Sequence, residues 1–539
     1  MDHHATTSDI VNPIAVSQYA YRATAKTQTT ASLTEEKEPI ATVAESTRLL
    51  ANDQTPWYQK PNLRKLYLLL VPAAIGVEMT SGFDASVLNG LQAVGKWNEQ
   101  FGNPDGAILG VITSSMTFRS VFGIPLVPYF NDRWGRKPGI TVGSVIVILG
   151  VAIQTAAINM AMLIASRIIM GFGLPFATAG AAALLSELCH PKERAFISGI
   201  FHESWYAGAI LAAGVTLGTF DWGSSWSWRL PTLFQVLPSL LQLSFIWFIP
   251  ESPRFLIAND RTEEALAILV KYHAEGDENS PFVSAEYEEI TETLKKEKES
   301  SSRPWKELVS TSANVRRVLI AIGVGLFAQW SGNGLVSFYL SKVLKTIGIT
   351  SHLQQNQINL GLMCWNLVTG VAGSYVQKFA RRRVQWLVSY GGMTLVYACW
   401  TASSAVYSND TRNEHASRAV VALIFVYYGF YNIMMPLAYI YITEVFPYLQ
   451  RSKGMAIMLW LNRVGGGFNG FVNPIALRAI QWRMYIVYTC WLAVETTIIY
   501  FLYPETQGLS LEQAGGVVDG AKVDEVENEK GYSNSKRVE

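Results

Sequence analysis

The sequence predicts an all-α membrane protein of twelve transmembrane helices in two six-helix halves, and three observations carry that prediction. Half of the 539 residues are hydrophobic and only 16% are charged, whereas a soluble domain carries about 25% charged residues. The mean hydropathy is +0.18 even though polar tails dilute it. Twelve windows are also apolar enough, at about 20 residues, for a helix to cross the hydrocarbon core of a bilayer.

The apolar windows fall into two groups of six that are separated by one long polar break. The first group lies at residues 66–90, 107–130, 139–159, 161–187, 195–219 and 229–249. The second group lies at residues 316–343, 355–377, 384–407, 418–443, 451–477 and 482–503. Gly and Pro inside several windows are compatible with helices in lipid, because neighbouring helices satisfy the backbone groups that are set free. The two halves are therefore predicted at 61–249 and 316–503.

Three polar segments complete the predicted organisation. Residues 1–60 are rich in Thr, Ser, Ala and Glu and lack the apolar core of a cleaved signal peptide, which indicates a disordered cytosolic tail. Residues 250–315 form a linker whose stretches EEALAILVKYH and SAEYEEITETLKKEKES are typical of short amphipathic helices. Residues 504–539 are a polar C-terminal tail, expected in the cytosol.

The composition excludes several classes of function. Forty-three basic and 42 acidic residues leave a net charge of +1, which argues against a basic nucleic-acid-binding surface. The four cysteines show neither a disulfide framework nor a metal-ligand spacing. The soluble segments contain no Gly-rich phosphate loop, metal cluster or nucleophile motif, so we expect no enzyme activity, metal or cofactor. A single chain supplies a complete bundle, and we expect it to function as a monomer.

The positive charges of the short loops predict the orientation in the membrane. Basic residues follow the second, fourth and eighth windows, whereas the opposite loops of the first half are nearly bare of them. These residues are Arg133, Arg136, Lys137, Lys192, Arg194, Lys378, Arg381, Arg382 and Arg383. Both termini are therefore expected in the cytosol. The glycosylation sequon at Asn409 falls in a loop that this topology places outside.

The two halves repeat each other in their charged residues. Asp132-x-x-Gly135-Arg136-Lys137 aligns with Gln377-x-x-Ala380-Arg381-Arg382 at an offset of 377 − 132 = 245. The pair Glu187 and Arg194 aligns with Glu444 and Arg451, and Pro250-Glu251 aligns with Pro504-Glu505, at offsets of 257 and 254. A duplicated bundle of this kind indicates a transporter with its solute site between the halves.

Seven motifs make the chain resemble the sugar porter family of the major facilitator superfamily over essentially all of 60–512. They are GFD at 82–84, DRWGRK at 132–137, the Arg of SRIIMGFG at 167, PESPR at 250–254, QWSGNG at 329–334, EVFP at 444–447 and PETQGLSLE at 504–512. The phrases WSWRLP at 226–231 and FVNPIAL at 471–477 are most similar to the fungal lactose and cellobiose permeases. The resemblance implies the major facilitator fold and transport by alternating access.

The resemblance also implies a proton-coupling pair. In proton-coupled members the Asp of the first motif accepts a proton and the Arg of the fourth span is its counter-ion, which corresponds to Asp84 and Arg167 here. An ionisable residue inside a span is costly and is by default a functional candidate. A static structural ion pair is the alternative interpretation. The energy source would be a proton gradient rather than a bound cofactor.

The substrate-binding candidates lie in spans five, seven, eight, ten and eleven. They are His202, Glu203, Gln329, Asn333, Asn366, Tyr439, Asn462 and Arg463. His202 stands where the family has a Gln or Asn, and Arg463 stands near a family aromatic position. These two departures suit a substrate with a carboxylate, because a guanidinium recognises that group well. Neutralisation of Arg463 or Arg119 by Glu78 or Glu203 within the bundle is the alternative.

A set of cytosolic charges is implied to gate the transporter. In the family, the corresponding residues form ion pairs between helices that favour the outward-facing state. These residues are Asp132, Arg136, Lys137, Glu187, Arg194, Glu251, Arg254, Arg381, Glu444, Arg451 and Glu505. With Gln377 in place of an Asp, the second half is predicted to lack one carboxylate.

The predicted function is proton-coupled symport of a disaccharide or hexose across the plasma membrane of a fungus-like cell. The same fold carrying a sugar acid, another organic acid or a secondary metabolite is the first alternative, favoured by His202, Glu203 and Arg463. A nutrient sensor with a transporter fold is the second. The partners expected are a small sugar, protons and the lipid bilayer.

Overall fold

The computed structural model describes residues 55–302, 304–377, 379–507 and 518, without the side chains at 119, 195, 301, 302 and 448. Most of the two predicted tails therefore lies outside the described residues. So do Lys378 and the side chain of Arg119. Within the described residues the protein is helical and contains no β-strand. The helical class predicted from the sequence is therefore confirmed.

In the described part of the chain, the first half contains nine helices. The helices are α1 (Pro61–Leu91), α2 (Gly95–Phe101), α3 (Gly106–Gly123), α4 (Leu126–Trp134), α5 (Arg136–Thr155), α6 (Met160–Leu188), α7 (Pro191–Thr219), α8 (Trp226–Phe234) and α9 (Val236–Ile246). The fifth apolar window, 195–219, lies within one of them, α7.

Three further helices form the linker and seven form the second half. The linker helices are α10 (Pro253–Ala258), α11 (Thr262–His273) and α12 (Pro281–Ser302). The two amphipathic stretches of the linker fall in α11 and α12, whereas α10 was not predicted. The second half contains α13 (Ser312–Trp330), α14 (Asn333–Thr346), α15 (His352–Val376), α16 (Arg382–Asn409), α17 (Glu414–Val445), α18 (Tyr448–Ile480) and α19 (Met484–Leu502). Short 3₁₀ turns lie at Trp57–Gln59, Trp305–Val309 and Gln481–Arg483.

Each of the twelve windows coincides with one helix or with a broken pair of helices. The second window bends by 56° between α3 and α4, where Pro125 precedes α4 and removes a backbone donor. The seventh breaks at Gly332, whose φ of 96° is left-handed. By length and composition, six described helical stretches could cross a membrane, or seven if the bent pair counts as one span. The count of twelve spans therefore stays a prediction.

Helices α1 and α7 pack with their backbones in close contact through two glycines. A Cβ atom on Gly82 would lie 1.8 Å from the carbonyl oxygen of Trp205. A Cβ atom on Gly208 would lie 2.1 Å from the carbonyl oxygen of Met79. Gly82 is the first residue of the GFD motif, so its role is to let α1 approach α7 directly before Asp84.

The two halves contact each other at the end of the bundle opposite the linker, which we call the far end. Asn89 of α1 donates to the Val336 carbonyl at 3.4 Å and to Asn359 Oδ1 at 3.2 Å. Gln92 donates to the Phe338 carbonyl at 2.7 Å. The Lys342 ammonium lies 3.2 Å from the Asp105 carboxylate. The far end is therefore closed in this state.

The linker helices dock on the opposite end, the linker end, through one carboxylate and one imidazole. Both Glu275 carboxylate oxygens accept from the first turn of α1, from the Asn62 and Leu63 amides at 2.9 Å. Free amides and the positive end of the helix dipole favour a carboxylate there. This contact attaches the loop after α11 to the helix that carries Asp84.

His273 of α11 makes the second attachment and faces an acceptor with each ring nitrogen. Its Nδ1 lies 2.7 Å from Glu286 Oε2, and its Nε2 lies 3.3 Å from the Leu188 carbonyl at the end of α6. Burial disfavours the charged imidazolium, but the Glu286 carboxylate outweighs it and raises the pKa of His273 above its ordinary value. The raised pKa favours the form with a proton on both ring nitrogens, in which each nitrogen can donate to its acceptor.

Substitution of Gly82 by Ala is expected to disrupt the packing of α1 on α7, because the new methyl group would overlap the Trp205 carbonyl oxygen. We expect a large loss of monodisperse protein in detergent size-exclusion chromatography. Gly214→Ala on the partner helix α7 is the control, since no atom lies within 4 Å of a Cβ at that glycine. Equal yields of the two variants would contradict the close packing.

The His273→Gln variant is expected to lose stability in a pH-dependent way. Because the folded-state pKa of His273 is raised, its contribution is complete below the unfolded pKa of about 6.5 and is lost as pH rises through the folded value. The melting temperature of the wild type should exceed that of the variant by several degrees near pH 6, and the gap should narrow at higher pH. A gap that is independent of pH would contradict a charged His273.

Candidate functional site

Asp84 and Arg167 form a buried, two-pronged ion pair between α1 and α6. Arg167 Nη1 donates to Asp84 Oδ1 at 3.2 Å, and Nη2 donates to Oδ2 at 3.1 Å. The exposed fraction is 4% for Asp84 and 2% for Arg167. A buried charge is tolerated when it is paired and hydrogen-bonded. The sequence predicts these two residues as partners, and the structure brings them together.

Two further groups add hydrogen bonds to this pair, and sequence reasoning missed both. Gln235, at the break between α8 and α9, donates from Nε2 to Asp84 Oδ1 at 3.0 Å. The Ile112 carbonyl of α3 accepts from Arg167 Nε at 2.8 Å. Gln235 could have been recognised as a candidate, because it is an amide side chain inside the apolar sixth window. The backbone acceptor leaves no signal in a sequence.

A second cluster of polar side chains lies where the two halves face each other. The ring of His202 on α7 stacks on the ring of Tyr439 on α17, with centroids 5.4 Å apart and an interplanar angle of 29°. Tyr439 is 40% exposed, and His202 and Arg463 are also exposed. Arg463 of α18 interacts electrostatically with Tyr439 and with Glu78 of α1. We call these four residues the central cluster.

Glu203 lies beside the central cluster and faces the second half. A Cβ atom on Gly370 of α15 would lie 2.7 Å from Glu203 Oε2. This oxygen is buried and accepts no hydrogen bond from the described residues. One turn along α7, Tyr206 donates to Asn432 Oδ1 of α17 at 2.8 Å, a bond between the halves that sequence reasoning also missed.

The four predicted amide side chains divide into two pairs. Gln329 Nε2 donates to Asn462 Oδ1 at 3.2 Å, and both residues are half-buried at the junction of α13 and α18. Asn333 and Asn366 are buried and occupied by protein contacts: Asn333 donates to the Tyr431 hydroxyl, and Asn366 Oδ1 accepts from Asn432. In this state Gln329 and Asn462 are thus the pair with accessible surface.

At the linker end of the first half, three helix ends are joined around two carboxylates. Arg136 binds Glu187 through Nε at 3.1 Å and Nη2 at 3.2 Å. Glu251 accepts from the backbone amides of Arg136 and Lys137 at 3.2 Å each. Ser252 also donates to Glu187. The network joins the ends of α5, α6 and α9.

The second half repeats this network with the neighbouring arginine. Arg382 binds Glu444 Oε1 through Nη2 at 3.1 Å. Glu505 accepts from the amides of Arg382 and Arg383 at 2.9 and 3.2 Å. Thr506 donates to Glu444 at 2.6 Å, in the place of Ser252. The position predicted for Arg381 is therefore occupied by Arg382.

The alignment of the repeat accordingly shifts by one residue, and the predicted match of Gln377 with Asp132 is wrong. Arg136 Nη1 donates to the Asn131 carbonyl at 3.3 Å, and Arg382 Nη1 donates to the Gln377 carbonyl at 2.7 Å. Gln377 thus corresponds to Asn131. The residue after Gln377 is a lysine in the sequence, so the second half still lacks the carboxylate of Asp132.

The remaining predicted gating and modification residues lie at the periphery. Asp132 is exposed and lies 3.8 Å from Arg136, and Arg254 lies 3.6 Å from Glu297 of α12. Arg194 is exposed at the start of α7, and Arg451 is half-buried at the start of α18. Asn409 is exposed at the last residue of α16, as a glycosylated side chain requires.

The chain is similar in sequence to a family of transporters. The family described as "Sugar (and other) transporter" matches residues 69–517. A high-affinity glucose transporter of Kluyveromyces lactis is 28% identical over 475 residues, which are 85% of this chain and 86% of the relative.

Two solved structures of the xylose transporter XylE from E. coli share the fold. The inward open conformation has a TM-score of 0.69 at 19% identity, and covers 84% of this chain and 99% of its own. The proton:xylose symporter bound to 6-bromo-6-deoxy-D-glucose has a TM-score of 0.68 at 19% identity, with the same coverage.

The shifted alignment predicts which arginine stabilises the second half. Arg382→Gln leaves Glu444 partly buried without its cation and is expected to lower the melting temperature in detergent by several degrees. Arg381→Gln removes the same charge one residue away and is the control, with an expected change below about one degree, as is usual for a surface site. A larger loss in the Arg381 variant would restore the original alignment.

Proposed function

The chain belongs to the sugar (and other) transporter family, and from this premise we propose that it moves a sugar, a hexose or a disaccharide, together with a proton by alternating access. It is a multi-pass membrane protein and a transporter rather than an enzyme, as its relatives are. The observation that carries the proton-coupling proposal is the buried pair of Asp84 and Arg167.

The pair is suited to coupling because the link between α1 and α6 depends on whether Asp84 carries a proton. With Asp84 ionised, the two-pronged contact ties α1 to α6. A proton on Asp84 removes the charge attraction and leaves Arg167 bonded only to neutral acceptors such as the Ile112 carbonyl. Proton binding thereby loosens the helix that also carries Glu78 and makes the contacts of Asn89 at the far end.

Alternating access requires one closed end and one that opens, and the contacts between the halves support this arrangement. The far end is held by a few side-chain bonds, from Asn89, Gln92 and Lys342. The Arg136 and Arg382 networks each close inside one half and keep it rigid. The far end is closed in the state described here, and a change to the opposite state breaks these bonds.

The orientation and location follow the loop charges and the position of Asn409. We place both termini in the cytosol and the far end outside, where Asn409 would be glycosylated, in the plasma membrane of a fungus-like cell. The glucose transporter of Kluyveromyces lactis supports a hexose as cargo, and XylE supports a proton as the coupling ion. The exposed Arg463 favours an acidic sugar or another organic acid as a second candidate cargo.

Asp84→Asn is expected to abolish accumulation of the sugar against its gradient, because the amide keeps the shape of the side chain but does not titrate. Exchange of labelled for unlabelled sugar at equilibrium should persist. Accumulation is measured as uptake driven by an imposed proton gradient in proteoliposomes. Exchange is measured by counterflow. Asp221→Asn, at an exposed loop position, is the matched control and should accumulate sugar normally.

Full accumulation by the Asp84 variant would refute proton coupling through this residue. Transport of no sugar by the correctly folded wild-type protein would instead favour a sensor built on the same fold.

A further inference from the structure

We infer that the central cluster contains a subsite for a carboxylate group, built on Arg463, and that the cargo is therefore an acidic sugar such as a hexuronate. This inference rests on the proposed transport function and, of its two candidate cargoes, selects the acidic one and assigns the group that binds it. It depends on three features of the described residues. Within this part of the chain, the guanidinium of Arg463 makes no hydrogen bond or ion pair, the nearby acid Glu78 does not bind it, and the side chains around it can bind a sugar ring.

The first feature is the state of Arg463. Its side chain is exposed, and none of the described residues gives its guanidinium a hydrogen bond or an ion pair within 4.0 Å. It lies about 18 Å along α18 from Arg451 at the linker end, at 1.5 Å per residue, which is deep in the bundle. Placing an arginine side chain at this depth costs several kcal/mol of free energy. No bonded partner among the described residues offsets that cost for Arg463.

The second feature is Glu78, the acid on which Arg463 acts electrostatically across the boundary of the halves. The described residues likewise give the Glu78 carboxylate no hydrogen bond and no ion pair. The two charges feel each other but do not touch, so the fork of donors on Arg463 remains open. A planar carboxylate accepts two parallel bonds from such a fork, which a sugar hydroxyl does not.

The third feature is the surround of Arg463, which suits the ring of a sugar. Asn462, the preceding residue on α18, and its partner Gln329 present amide groups that can bond hydroxyls. Tyr439 offers a partly exposed aromatic ring, and Arg463 acts electrostatically on its hydroxyl group. The imidazole of His202, stacked on Tyr439, adds a donor or an acceptor.

Glu78 then has a defined and testable influence on the cargo. A bound substrate carboxylate would lie near Arg463 and hence near Glu78, so the two acids repel each other. Removal of the Glu78 charge should strengthen binding of an acidic sugar, whereas removal of the Arg463 charge should weaken it. Opposite effects from two substitutions are not expected if Arg463 serves only to neutralise Glu78.

The test compares uptake of radiolabelled D-galacturonate and D-glucuronate with uptake of D-glucose and lactose by the full-length protein in proteoliposomes. We expect wild type to take up at least one uronate with the lower KM. Arg463→Gln should raise that KM roughly 10-fold or more, the effect of losing one charge-assisted bonded pair. Glu78→Gln should lower it several-fold. Arg418→Gln removes an exposed arginine paired only with Glu414 and should leave it unchanged.

A binding measurement keeps the inference testable if a variant transports poorly. D-galacturonate should raise the melting temperature of purified wild type and of Glu78→Gln, but not that of Arg463→Gln. Uptake of glucose or lactose without any uronate would refute the carboxylate subsite and leave sugar transport intact. Uptake of none of the four sugars would count against both proposals. An unchanged uronate KM in Arg463→Gln would refute the subsite alone.

Discussion

The buried contact between Asp84 and Arg167 is the constraint on which the rest of the structure depends. Two opposite charges removed from water are stable together only when the geometry is good and every remaining donor and acceptor is bonded. Here the Gln235 amide and the Ile112 carbonyl add bonds to the pair. Four segments of the first half, α1, α3, α6 and the break before α9, must therefore meet at one point. Two residues before Asp84, Gly82 lets α1 lie directly against α7, since any larger residue would push the two helices apart.

The repeated networks at the linker end have a complementary role. In each network the arginine side chain binds one carboxylate. A second carboxylate accepts from the backbone amides at the start of the helix that carries the arginine. Charge-assisted bonds of this kind are among the stronger ones in proteins. Because each network closes inside one half, each half can move as a rigid body. The softer side-chain bonds at the far end are the ones that must exchange during a cycle.

Most of the helical architecture could be predicted from the sequence, because long apolar windows leave little choice but helix. The pairing of Asp84 with Arg167 was also predictable through the family motifs. The register of the repeat was not predictable. The match of Gln377 with Asp132 aligned Arg381 with Arg136, whereas the bonds to Glu505 and Glu444 show that Arg382 takes this position. Backbone hydrogen bonds leave no letter in a sequence. For the same reason the Ile112 acceptor and the contact of Glu275 with α1 could not be foreseen.

The central claim is that sugar movement is tied to protonation of one buried acid. The most direct measurement is the pH inside proteoliposomes that hold a trapped pH-sensitive dye, recorded after the cargo sugar is added outside in weak buffer. The account predicts an immediate acidification of the lumen that requires both the sugar and Asp84. Entry of labelled sugar with no change in lumenal pH would contradict the account.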